Sequence, residues 1–142
     1  LCYNIVMVCH LIEEAGKGTL DWQTIKETVV VDENAHLADS DKFDVSIGAC
    51  KVCGQKYIVC FREFNSAKFE DFYWNFWIPI REQEIAAFKQ TEMTYPLMAA
   101  IVGNTPHICR GDKKTVYWCA QGNPLASTIF SPPYMVDYPD VS

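Results

Sequence analysis

The sequence predicts an α+β fold, a single domain with an antiparallel sheet and flanking helices. Three observations carry that prediction. Two segments of alternating apolar and polar residues flank a tight Cys50-Lys51-Val52-Cys53-Gly54 turn. A dense aromatic run, Phe69 to Ile80, follows them and carries Pro79 near its end. Helical stripes occur on both sides of this block, in residues 1–15 and 81–92. A chain of 142 residues with 49 % hydrophobic and 13 % aromatic residues is the size of one domain and has enough apolar surface for one core.

In Leu1 to Ala15, the apolar residues Ile5, Val6, Cys9, Leu11 and Ile12 fit one face of a helix, and Gly16 and Gly18 are stop signals. Thr19 is placed to cap a second helix carrying Trp22, Ile25 and Val29, but the β-branched run Thr28 to Val31 prefers a strand, so this segment reads either way. Asp32 to Asp44 is polar, acidic and without period, and is predicted to be a long surface loop. Phe43, Val45 and Ile47, then Tyr57, Val59 and Phe61, alternate as strands should, and the cysteine turn makes them a hairpin.

The aromatic run is a third strand, with Phe72, Trp74 and Phe76 on one side and Tyr73 and Trp77 on the other. Pro79, lacking an N–H, is expected to end its ladder. The second aromatic set is expected to be covered by the 81–92 helix or by the C-terminal tail, because exposed aromatic patches of that size are unusual on monomers. Leu97 to Val102 reads as a short helix or a buried strand. The segments 108–110 and 115–119 flank Gly111-Asp112-Lys113-Lys114 and predict a second hairpin. The Arg110-Gly111-Asp112 tripeptide there is explained by turn chemistry alone. From about residue 121 to 142, Pro124, Pro132, Pro133 and Pro139 predict an extended tail, with Phe130, Tyr134 and Tyr138 free to dock on the body.

Charge narrows the function. The net charge of −6, with no cluster of Lys and Arg, argues against a nucleic-acid partner. Residues 1–48 carry the whole excess, nine acids against Lys17, Lys26 and Lys42. That third of the chain suits a basic partner. Asp32, Glu33, Asp39, Asp41 and Asp44 are the candidate partner-binding residues. The apolar segment Leu1 to Ile12 is too short to span a membrane, lacks a basic leader and is followed by Glu13 and Glu14. Seven cysteines without a dense disulfide spacing read as reduced thiols, and the cytoplasm is the expected compartment.

Cys50-x-x-Cys53-Gly54 is half of a zinc site, because two thiolates at this spacing clasp a soft metal over a turn that the glycine permits. His107 with Cys109, Cys60, or Cys9 with His10 are the alternative completions, none at a standard spacing. A redox role would need the first cysteine at a helix N-terminus, and the motif instead joins antiparallel strands. His10 with Glu13 and Glu14 lacks the second histidine of a helical metalloprotease. No nucleophile elbow or phosphate loop occurs, so no enzyme, no catalytic residue and no cofactor is expected, with zinc as the alternative.

The segment Ala49 to Glu63, with Tyr73-Trp74, Trp77-Ile-Pro-Ile80, Glu82 and Glu84-Ile-Ala-Ala87, resembles a group of small bacterial proteins. They share a Cys-x-x-Cys-Gly-Gln knuckle, an aromatic strand, an Ile-Pro or Leu-Pro step and a Glu-rich helix, and are associated with the immunity proteins of polymorphic-toxin and contact-dependent growth-inhibition systems. The likeness spans about residues 45 to 90, and the knuckle is its specific part. It implies a non-enzymatic cytosolic inhibitor that binds a cognate toxin domain, often a basic nuclease, and covers its active site.

Overall fold

A computed structural model describes residues 8–40, 42–64, 72–111 and 115–130. Helices α1 (His10–Lys17) and α2 (Trp22–Thr28) lead into strands β1 (Val29–Ser40), β2 (Phe43–Cys50), β3 (Lys56–Phe64) and β4 (Phe72–Ile80). A 3-10 turn (Glu82–Glu84), α3 (Ile85–Lys89) and α4 (Tyr95–Asn104) follow, then β5 (His107–Arg110), β6 (Val116–Cys119) and α5 (Ala126–Ile129). The six strands form one antiparallel sheet in sequence order, β1 to β6. The predicted α+β class, antiparallel sheet and flanking helices are all present.

Alternation along the strands divides the side chains between two cores. Phe43, Val45 and Ile47 of β2 share a face with Ile58 and Cys60 of β3 and with Trp74, Phe76 and Ile78 of β4, and α4 and α5 cover it through Met98, Val102 and Ile129. The other face carries Cys50, Tyr57, Trp77, Ile108 and Val116, and α1 and α2 cover it through Leu11, Ala15 and Ile25. Trp77 is therefore buried by the N-terminal helices, with Trp22 at 5.8 Å, and among the described residues neither 81–92 nor 121–130 belongs to its cluster, where cover from the 81–92 helix or the tail was expected. Arg110 stacks on Trp22 at 4.1 Å and donates to Asn75 at 2.9 Å, which ties it into this same core. Tyr73 is the member of the second aromatic set that stays exposed.

Several boundaries differ from expectation for identifiable reasons. Helix α1 continues through Gly16 and ends at Gly18, whose φ of 73° supplies the left-handed cap; residues 1–7 lie outside those described. Asp21, not Thr19, caps α2 by accepting from the Thr24 N–H at 2.7 Å. The ambiguous segment resolves into both readings, with the helix handing over to β1 at Val29. Pro79 ends pairing on one side only. The ladder to β5 stops at Trp77, whereas β3 pairs on through Ile80, since a proline without an N–H interrupts only the partner it would have donated to.

The predicted loop over Asp32 to Asp44 is instead most of β1 and the start of β2. The pairing of β1 with β2 shifts register between Val31 and His36 and again between His36 and Ala38. Asp32 accepts from the Asn34 N–H at 2.9 Å inside the first shift, a local turn that hides the strand from a periodicity reading. The tail expectation is also revised in part. Residues 126–129 form α5, whose Ala126 and Ile129 are buried together with the following Phe130. Tyr134 and Tyr138 lie outside the described residues.

Candidate functional site

Cys50 ends β2 on the face covered by α1 and α2. The turn after it is closed by its own backbone: Gly54 N–H donates to the Cys50 carbonyl at 2.8 Å, and Cys50 N–H donates to Gln55 at 2.9 Å. Lys51 N–H donates to Thr28 at 2.9 Å, fastening the turn to the end of α2. Gly54 sits at φ 81°, which lets the turn close tightly. The nearby Val52 and Cys53 amides favour the Cys50 thiolate.

The third member comes from a distant part of the sequence. Cys9 immediately precedes α1, and burial of Leu11 and Ala15 against the sheet carries it to the turn. The sulfurs of Cys9, Cys50 and Cys53 lie within 4.8 Å of one another. Cys9 and Cys50 are buried and Cys53 is exposed, so the group opens to solvent on one side. Burial raises the Cys9 thiol to about 11. At Cys50 burial acts in the same direction, but the two amides and the neighbouring thiols outweigh it and the thiol falls below its ordinary value. The Tyr57 hydroxyl, fully buried against Cys9, completes no hydrogen bond of ordinary geometry among the described residues.

Of the sequence-derived completions, the structure brings Cys9 to the motif without His10. Cys60 points to the opposite face, where burial pushes its thiol up. His107 and Cys109 also belong to that opposite face, beside Cys119. Cys9 is one of the completions offered by the sequence but spacing could not single it out, and Cys119 is not among them, because each depends on how a helix or hairpin docks.

No family model, curated protein or solved structure matches this chain. The site must therefore be read from its own geometry.

The predicted acidic residues are distributed along one edge of the sheet. Asp32, Glu33 and Asp39 are exposed on β1, the outermost strand, and Asp44 is half-buried on β2 directly opposite Asp39. His36 lies 3.2 Å from the Asp44 carboxylate and 3.0 Å from the Ser46 hydroxyl. Asp41 lies outside the described residues. No helix of the described residues is long and apolar enough to cross a membrane.

Proposed function

We propose that this chain is a small zinc-binding interaction module in which Cys9, Cys50 and Cys53 hold the metal. The observation that carries the reading is the convergence of three sulfurs within 4.8 Å at a turn closed by the Gly54 N–H on the Cys50 carbonyl. Zinc binds thiolate at about 2.3 Å, which sets tetrahedral edges near 3.8 Å, so a contraction of about 1 Å at most brings these sulfurs onto the ion. Solvent reaches the remaining position beside exposed Cys53. The ion would tie the start of α1 to the β2–β3 turn, joining the N-terminal helix to the sheet.

Elemental analysis of protein purified without added metal tests this directly. Cys50→Ser with Cys53→Ser is expected to lose one equivalent of zinc relative to the unaltered chain. Equal metal content in the two proteins sinks the assignment.

A second reading concerns what such a module binds, and the acidic β1 edge favours it. Asp32, Glu33, Asp39 and Asp44, with Asp41 beside them in sequence, offer a concentrated negative edge to a basic surface. This supports a cytosolic immunity-type inhibitor of a toxin domain, to which the reading assigns no reaction of its own. Electrostatic steering of that kind makes the association rate fall steeply with salt. Neutralising all five acids should slow association with the cognate toxin and flatten its salt dependence. An unchanged salt slope removes the acidic edge from the interface.

A further inference from the structure

We infer that His107, Cys109 and Cys119 form a second metal site, for a borderline-soft divalent cation such as Zn²⁺, on the sheet face opposite the Cys9 group. The register of the β5–β6 hairpin builds it. His107 lies opposite Cys119 and Cys109 opposite Tyr117, so all four side chains share one face. The His107 imidazole nitrogen and the two sulfurs lie within 4.8 Å of one another.

The histidine is oriented as a ligand. Its Nδ1–H donates to the Thr105 carbonyl at 2.7 Å, which leaves the lone pair of the neutral ring on Nε2. That nitrogen is buried, faces Cys119 and completes no hydrogen bond of ordinary geometry among the described residues. The whole side chain is 0 % exposed, with the Phe76 ring 5.5 Å away. A backbone carbonyl that fixes the far nitrogen is the usual support for a metal-bound imidazole.

Cys109 is supported in the same way. Leu125 N–H donates to the Asn123 side-chain oxygen at 2.9 Å, so the amide NH₂ of buried Asn123 points the other way, toward the Cys109 sulfur at 3.7 Å. The Tyr117 hydroxyl stands 3.5 Å from that sulfur on the solvent side and can donate once the thiol has lost its proton. Cys119 is half-buried on the last strand and completes the set. A Cys₂His set leaves one coordination position to water or a small anion.

The site is independent of Cys50 and Cys53, and the test keeps the two apart. Co²⁺ is titrated anaerobically into the reduced full-length chain, with thiolate-to-cobalt absorption as the readout. The Cys50→Ser/Cys53→Ser double variant should still bind one equivalent with sulfur ligation. Adding Cys119→Ser to it should abolish that binding, and adding His107→Gln instead should shift the spectrum and weaken affinity at least tenfold. If the double variant does not fold, Cys119→Ser alone serves, and should lower the stoichiometry of the unaltered chain by one. Cobalt binding that Cys119→Ser leaves unchanged overturns the proposal. So does rapid alkylation of Cys119 in the presence of saturating Zn²⁺, which would mark a free reactive thiol and not a ligand.

Discussion

Arg62 on β3 is fully buried in the core between the sheet and α4 and α5. Its Nε donates to the Ile129 carbonyl at 3.0 Å, and one terminal nitrogen donates to Lys42 at 3.2 Å and to Glu63 at 2.7 Å. The guanidinium also stacks on Tyr95 at 4.7 Å. Arg62→Met keeps most of the stem volume and removes every donor. The Lys42 carbonyl retains the Glu63 N–H at 2.9 Å, so the loss falls mainly on Ile129 and Glu63. A hydrogen bond from a charged group is worth about 1.5–3 kcal/mol. Two such losses, offset by relief of the cost of burying the charge, give about 2–4 kcal/mol. For a domain of this size that lowers Tm by about 5–15 °C. Urea unfolding followed by tryptophan fluorescence measures it, with Trp74 and Trp77 buried on opposite faces of β4 as reporters. Hydrogen exchange should quicken at Ile129 and Phe130 more than at Val45 and Ile47. A methionine variant within about 0.5 kcal/mol of the parent, the scatter of neutral substitutions, would refute the assignment of Arg62 as the tie between α5 and the sheet.

Two of the three positive-φ glycines, Gly54 and Gly122, should separate. Gly54→Ala meets nothing within 4 Å at φ 81° and should cost about 1–2 kcal/mol of backbone strain. Gly122→Ala at φ 92° drives a Cβ into the Gly103 carbonyl and should cost more than about 3 kcal/mol, both read from urea midpoints. Metal affinity should rise with pH from mildly acidic to alkaline conditions, because Cys9, with its thiol at about 11, must release its proton to bind; a competition titration against a chromophoric chelator gives the slope. Chelation should speed amide exchange in α1 and leave β2–β4 protected, since both faces of those strands are held by packing. Asp21→Ala should destabilise α2. The carboxylate of Asp21 is held below its ordinary value of 3.8 by the Thr24 N–H, so this contribution is present above that value and lost as pH falls through the lower folded one. Thermal scans of Asp21→Ala and its parent should converge in acid.

Those outcomes depend on features of unequal visibility in the sequence. The β2–β3 hairpin was legible because both strands alternate around a turn whose glycine has one conformational use. The aromatic strand was legible for its composition. Strand β1 was not, although Ala35 and Leu37, both buried, alternate with exposed Asn34 and His36. Its outward residues are acidic, and the register shifts at His36 interrupt the period, so the strand is specified by the apolar face of β2 beneath it and not by its own pattern. The cysteine motif could be read as half a site. Its third thiol depends on the docking of α1, and the sequence offers the pair His107 with Cys109 as a completion of Cys50 and Cys53 because strand parity, which separates Cys50 from Cys109, requires the full register.

That parity has a redox consequence. The two sulfur groups lie on opposite sides of a continuous sheet, and a disulfide needs Cα atoms within about 7 Å and side chains that converge. Oxidation of the native protein can therefore link Cys9, Cys50 and Cys53 among themselves, or Cys109 with Cys119, but cannot cross between the groups. A crossed pair such as Cys50 with Cys109 could form only in a chain whose sheet had opened. Mapped after oxidative stress, that linkage would be a durable chemical record that the molecule had unfolded.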